Sequence, residues 1–139
     1  MKNSIRATVL SILLLTIFSC TTSTDVPLPI TTANEDALEP FNSGYFHQSQ
    51  TEGYEAKELY EKALKLDQEF ILANLYVPET DPNKRKAFRD RAIANKNNGS
   101  DAEKLRVEIY VANRDGRLSD VVTLSKKLVN KYPNSSEAY

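Results

Sequence analysis

Hydrophobic side chains recur three or four residues apart along most of the chain from residue 35 onward. This spacing places them on one face of a helix, whereas strict alternation of apolar and polar positions, typical of strands, is sustained in no segment. The clearest members of the pattern are Ala56, Leu59, Tyr60, Ala63, Leu64, Leu105, Ile109, Ala112, Val121, Leu124 and Leu128. The pattern predicts an all-α fold.

Helix boundaries follow from capping signals and from breaks in the pattern. Ser100 with Glu103 three residues later forms a capping box, and Asp81 before Pro82 places an N-cap acceptor ahead of a proline at the first helical position. Breaks fall at residues 51–53, 78–82, 95–99 and 115–116. We therefore expect six helices of about nine to sixteen residues, with antiparallel neighbours joined by short turns.

The N-terminal segment has a different character. Lys2 and Arg6 precede an apolar run over residues 7–18. As a helix, this run would span about 18 Å, well short of the roughly 30 Å hydrocarbon core of a bilayer. Its length and its positive flank are typical of a signal peptide rather than of a permanent membrane span.

The four residues Ile17-Phe18-Ser19-Cys20 resemble a bacterial lipobox. The resemblance implies that residues 1–19 are a lipoprotein signal peptide, and that Cys20 carries a diacylglycerol and becomes the first residue of the mature chain. Two or more acyl chains would make membrane attachment stable. The alternative is an ordinary secretory signal peptide cut nearby, with an incidental Cys20. The lipobox reading places the protein in the bacterial cell envelope, on the outer membrane or the periplasmic face of the inner membrane.

The segment after the lipobox is poor in apolar residues and rich in threonine and proline. Such a composition cannot bury enough surface to fold alone, so residues 20–36 are predicted to form a disordered, flexible tether. Removing residues 1–19 also removes two basic residues, which leaves the mature chain with 16 basic and 19 acidic residues and a net charge of -3. This charge gives no reason to expect nucleic acid as a partner.

Composition argues against most catalytic chemistry. The chain has 139 residues with one Cys, one His and four Gly, and the glycines form no phosphate-binding loop. We therefore predict no enzyme activity, no catalytic residues, no cofactor and no metal. The densest basic cluster combines residues 84–86 with Arg89 and Arg91, and we interpret it as a solvated helix face rather than an anion-binding patch.

Two segments, residues 53–68 and 116–133, align at an offset of 65 residues. That offset is close to twice the tetratricopeptide repeat period of about 34 residues. The first segment resembles the second half of such a repeat through Ala56, Tyr60 and Ala63. In the last repeat, Gly116 matches the turn between the helices and Pro133 matches the terminal proline. The resemblance covers residues 37–135 and implies an α-solenoid of about three antiparallel helix pairs, with residues 136–139 opening a further, truncated repeat.

In this repeat family, the inner face of the first helix of each pair binds peptide segments. Carried onto the last repeat, the resemblance implies a partner-binding face with Arg106, Tyr110, Asn113 and Arg114. The predicted function is a membrane-anchored scaffold lipoprotein that binds a partner protein or peptide in the envelope. Two alternatives remain open: an N-terminal fragment of a larger lipoprotein with an enzymatic or solute-binding domain beyond Tyr139, and a structural spacer.

Overall fold

The structure, a computed structural model, describes residues 25–139, which form six α-helices, three short 3-10 turns and no strand. The helices are α1 (Leu38–Ser49), α2 (Gly53–Leu66), α3 (Ile71–Tyr76), α4 (Pro82–Asn95), α5 (Asp101–Arg114) and α6 (Leu118–Lys131). The predicted all-α class is confirmed for this part of the chain. The predicted signal peptide and Cys20 lie outside the described residues.

The helices pack in consecutive pairs: α1 with α2, α3 with α4, and α5 with α6. Both predicted N-caps are present. The Ser100 hydroxyl accepts a hydrogen bond from the Glu103 amide at 3.2 Å, and the Asp81 carboxylate accepts one from the Asn83 amide at 2.8 Å. The short-range signals therefore set the starts of α4 and α5 as expected.

Helix α3 is shorter than predicted, with six residues. Its C-cap, Val77, is extended at φ -48° and ψ 120°, because the ring of the following Pro78 disfavours helical geometry at the preceding residue. Five of its residues are buried, and it contacts α2 and α5 as well as its partner α4. A short helix enclosed on all sides in this way shows no amphipathic period.

The main core contains the predicted packing positions of α2. Ala56, Tyr60 and Ala63 are each 0% exposed, and the two alanines allow neighbouring helices to approach closely. The ring of Phe41 on α1 lies 4.7 Å from that of Phe70 and 5.7 Å from that of Tyr60. The Tyr60 hydroxyl reaches the edge of the core and donates to the side-chain oxygen of Gln48 at 2.7 Å.

The last helix pair is less well covered. Gly116 has φ +71° in the turn between α5 and α6, a conformation that favours glycine, and Pro133 is exposed in the turn after α6. Only Leu128 of α6 is buried, whereas Leu118 is 68% exposed. The apolar side of α6 is thus only partly covered by the described residues.

Gly44 marks the closest approach of α1 to α2. A Cβ atom at this position would lie 3.2 Å from Tyr60 Cδ1 and 3.3 Å from the Ala56 carbonyl oxygen. We expect Gly44→Val to lower the free energy of unfolding by about 2 kcal/mol, because the extra atoms overpack a closed contact. Urea unfolding followed by circular dichroism measures the change. The matched control is Gly53→Val, since a Cβ on Gly53 would meet nothing within 4 Å, and an equal loss in both variants would contradict the packing argument.

Residues 25–34, here called the strap, lie against the helices. Leu28 is 3% exposed and packs in a second apolar cluster with Ala102, Leu105 and Leu128, while Ile30 packs against the main core. The described part of the predicted flexible tether over residues 20–36 is thus packed against the helices and not free of them. The apolar residues of the strap are few, but Leu28 and Ile30 pack against surfaces that the helices provide, while Val26 remains 52% exposed.

The strap contacts three places in turn. Its Asp25 carboxylate accepts hydrogen bonds from the amide and the hydroxyl of Ser136, both at 2.7 Å, after the end of α6. The carbonyl oxygen of Pro29 accepts the Ser100 hydroxyl at 2.7 Å at the start of α5. The amide of Ala33 donates to the Asp67 carboxylate at 2.8 Å after α2. Since neighbouring helices are antiparallel, these contacts follow one end of the helical array.

Candidate functional site

A groove of about 470 Å³ lies between α5 and α6 and is closed at one end by residues 136–139. It gathers three of the four residues predicted to bind a partner. We call it the α5–α6 groove and define it by its lining: Leu75, Tyr76, Arg89, Arg106, Ile109, Tyr110, Asn113, Val121, Ser125, Leu128, Val129, Glu137, Ala138 and Tyr139. Its α6 wall is mainly apolar.

The Arg106 side chain is held by contacts within the protein that the sequence did not indicate. Its side chain is 14% exposed, and its guanidinium donates to the Tyr76 hydroxyl and to the Glu137 carbonyl oxygen. The Glu137 carboxylate lies 3.8 Å away, and the guanidinium carbon lies 5.7 Å from the centre of the Tyr76 ring. The guanidinium is thus committed within the chain, joining α3, α5 and the C-terminal turn. This differs from the open, partner-facing side chain that we expected.

The other predicted residues divide between the groove and its outside. Tyr110 is half-buried on the groove wall, with the guanidinium carbon of Arg89 5.9 Å from its ring centre. Asn113 is exposed at the rim, where its amide can donate and accept hydrogen bonds. Arg114 is outside the lining, and its Nε donates to the Asp115 carboxylate at 2.9 Å. Of the four, Asn113 and Tyr110 remain as candidate contacts.

Burial also changes the titration of groups beneath the groove. Tyr76 lies between the Tyr45 ring, 6.1 Å away, and the guanidinium of Arg106. Its burial penalises the charged phenolate and raises the pKa of the Tyr76 hydroxyl above its ordinary value. The hydroxyl therefore stays protonated at neutral pH and supports Arg106 as a neutral group.

The basic cluster of α4 agrees only in part with the predicted solvated face, because Arg89 and Arg91 are partly buried. Arg89 donates to the carbonyl oxygens of Asn74 at 2.5 Å and Val77 at 3.0 Å, which α3 leaves without helical partners. Arg91 reaches the side-chain oxygen of the same Asn74 at 3.3 Å. Lys84, Arg85 and Lys86 are exposed, as predicted, and Lys86 pairs with Asp90 at the surface.

Burial of Arg89 has the expected electrostatic consequence. Loss of solvent lowers the pKa of its guanidinium from the ordinary value, although the group remains charged at neutral pH. The Arg89 side chain thus lines the α5–α6 groove, and its cation–π contact helps to fix Tyr110 in the groove wall. No sequence pattern indicated this arrangement, because the two carbonyl acceptors belong to the backbone.

A second depression of about 430 Å³ lies where α4, α5 and α6 meet. Ile93, Val111 and Leu124 contribute apolar surface, and charged residues surround them. Arg117, one of these, pairs with both Asp115 and Asp120. The charges of this second depression are therefore largely matched within the chain, whereas the α5–α6 groove keeps an uncommitted polar rim at Asn113.

Within residues 25–139, His, Cys, Asp and Glu side chains form no group of three able to hold a metal ion, and no helix is both long and apolar enough to cross a bilayer. Comparison of the chain with protein-family models, with curated proteins and with solved structures gave no match.

Proposed function

We propose that this protein is a lipoprotein scaffold of the tetratricopeptide type, anchored through Cys20 in the bacterial envelope, that binds a partner protein in the α5–α6 groove. The observation that carries the proposal is the groove itself, which brings an apolar wall from α6 together with Tyr110 and Asn113. Aromatic side chains next to apolar surface and a few polar groups are typical of protein-binding sites.

The exposed apolar side of α6 supports a binding role. Val122 is 54% exposed and Leu118 is 68% exposed, so α6 presents apolar area that α5 alone does not cover. A face of this kind, bordered by polar residues, is a common feature of interaction sites. Arg106 supports the groove as a positioning residue, because it holds the C-terminal turn that closes one end.

Groove binding is tested by placing charge at two positions of its lining, one on the rim and one on the α6 wall. We expect Asn113→Arg with Ser125→Arg to lower capture of the partner from envelope extracts about tenfold or more, because bulk and charge would enter the contact surface. The control is Asn130→Arg, an exposed position of the same helix outside the groove lining. Quantitative mass spectrometry of crosslinked complexes measures the loss. Equal capture by all three proteins would contradict the proposed site.

The anchor is tested separately. Metabolic labelling with a fatty acid should modify the wild-type chain and leave Cys20→Ala unlabelled. Labelling that persists in the variant would contradict attachment at this residue.

A further inference from the structure

The chain enters the folded body beside the end of α6 and not beside α1. Asp25 binds Ser136, and the Val26 amide donates to the Asn134 carbonyl oxygen at 2.9 Å. Only four residues lie between Cys20 and Asp25, so the five residue steps span about 17 Å when fully extended. If the whole segment to Asp36 were free, the reach would be about 55 Å. The strap therefore determines which part of the body stays close to the proposed anchor.

Three lysines surround this end of the body. Lys131 lies in the last turn of α6, three residues before Asn134, and its ammonium group donates to the Asp101 carboxylate. Lys127 lies one turn earlier on the same helix, and Lys104 lies in the first turn of α5. The hydrogen bond from Lys131, together with the nearby charges of Lys104 and Lys127, holds the pKa of Asp101 below its ordinary value. The three ammonium groups thus share one region.

The acidic groups of this region already have partners. Asp25 accepts two hydrogen bonds from Ser136, and Asp101 accepts the one from Lys131. Within the described residues, Lys104 and Lys127 form no ion pair. Their ammonium groups are consequently available to an external anion. Long, flexible lysine side chains suit a surface of many phosphates better than a single fixed ligand.

We propose that the pole formed by the start of α5, the end of α6 and Asp25 faces the membrane, where Lys104, Lys127 and Lys131 bind anionic phospholipid headgroups. The inference rests on the proposed anchor at Cys20. The strap follows this end of the helical array, so the turns at the opposite end, such as the one before α4, face away from the lipid. The anchor and the lysines then act as two weak attachments to one surface, which reinforce each other.

The test compares the reactivity of lysines already present in the full chain. The protein is placed in vesicles containing phosphatidylglycerol, and acetylation by a membrane-impermeant reagent is followed residue by residue by mass spectrometry. We expect Lys104 and Lys127 to react at least about threefold more slowly on these vesicles than in detergent, because headgroup phosphates occupy them. Lys84 and Lys86, both exposed near the start of α4, should react equally in both.

Neutral vesicles and a double variant complete the design. Slow reaction should be lost on phosphatidylcholine alone, and Lys104→Gln with Lys127→Gln should restore fast acetylation of Lys131 on anionic vesicles. The matched control is Lys84→Gln with Lys86→Gln, and thermal melting verifies that both variants fold. Uniform reactivity, protection of Lys84 instead, or equal protection on neutral vesicles would each overturn the proposal.

The vesicle measurement does not require lipidation in the cell. If fatty-acid labelling shows no lipid on Cys20, the same thiol can be coupled to a maleimide-bearing phospholipid before the lysines are compared. Absence of labelling would then contradict the anchor alone. Unprotected lysines on the coupled protein would contradict the orientation alone.

Discussion

Replacement of Glu103 by alanine should lower the free energy of unfolding by about 3 kcal/mol, the largest loss that we expect from one substitution in this chain. Glu103 is 0% exposed, and its carboxylate accepts the amide of Ser100 at 2.7 Å and that of Thr31 at 3.2 Å. Alanine would leave both amides without this partner and would open a cavity at the start of α5. Urea unfolding at neutral pH measures the difference.

The same substitution should release the strap. Thr31 loses its amide hydrogen bond to Glu103 and keeps only the one that its hydroxyl oxygen accepts from the Ser100 amide, so amide hydrogen exchange over residues 28–33 should accelerate more than exchange in α2. Glu103→Gln is the matched control, because it preserves shape and one acceptor and should cost only about 1 kcal/mol. If alanine and glutamine gave equal small losses, Glu103 would not be the connection between the strap and the helices.

Local chemistry made much of the helical fold predictable. The capping box of Ser100 and Glu103 and the Asp81-Pro82 start depend on groups only a few residues apart, so the sequence contains the whole interaction. The amphipathic spacing of α2 likewise places Tyr60 and Ala63 in the core. Helix α3 was harder to predict from the sequence. Five of its six residues are buried, so it has no polar face and gives no amphipathic period.

The strap was not predictable from composition, since its stability depends on partners 34 to 111 residues away. A segment rich in proline and threonine buries little apolar surface by itself. Contacts with the surrounding helices can nevertheless order it. A weak signal was present: Leu28 and Ile30 alternate with prolines, as expected of an extended segment with one buried side. The partner of this segment after α2 is the Asp67 carboxylate, which accepts hydrogen bonds from Thr32 and Ala33.

The candidate site was predictable only where its residues lie close together in the sequence. The repeat resemblance implied that Arg106, Tyr110 and Asn113 share one face of α5, and the structure places all three in the groove lining. Spacing could not show that Arg106 is occupied, because Tyr76 and Glu137 belong to distant segments. Charge density similarly marked α4 as basic without indicating which side chains point inward.

Arg89→Met should lower the free energy of unfolding by about 2–3 kcal/mol, even though α4 is one of the most polar helices of the chain. The guanidinium supplies hydrogen bonds to two carbonyl oxygens at the end of α3, those of Asn74 and Val77. Methionine retains the length of the stem but donates nothing, so both oxygens would lose a partner in a buried setting. Hydrogen exchange should accelerate in α3, and the contact with Tyr110 should be lost.

Two further variants, Lys86→Met and Arg89→Lys, are compared with Arg89→Met. Lys86→Met removes a neighbouring charge that pairs only with exposed Asp90, so the free energy of unfolding should change by less than about 0.5 kcal/mol. Arg89→Lys should recover only part of the loss, because a single ammonium group lacks the planar fork that reaches both oxygens. If Arg89→Met were as mild as Lys86→Met, the cluster would act as the solvated face suggested by its charge. A large difference between Arg89→Met and Lys86→Met would instead show that the Arg89 side chain of α4 stabilises α3 by binding backbone carbonyl oxygens at its end.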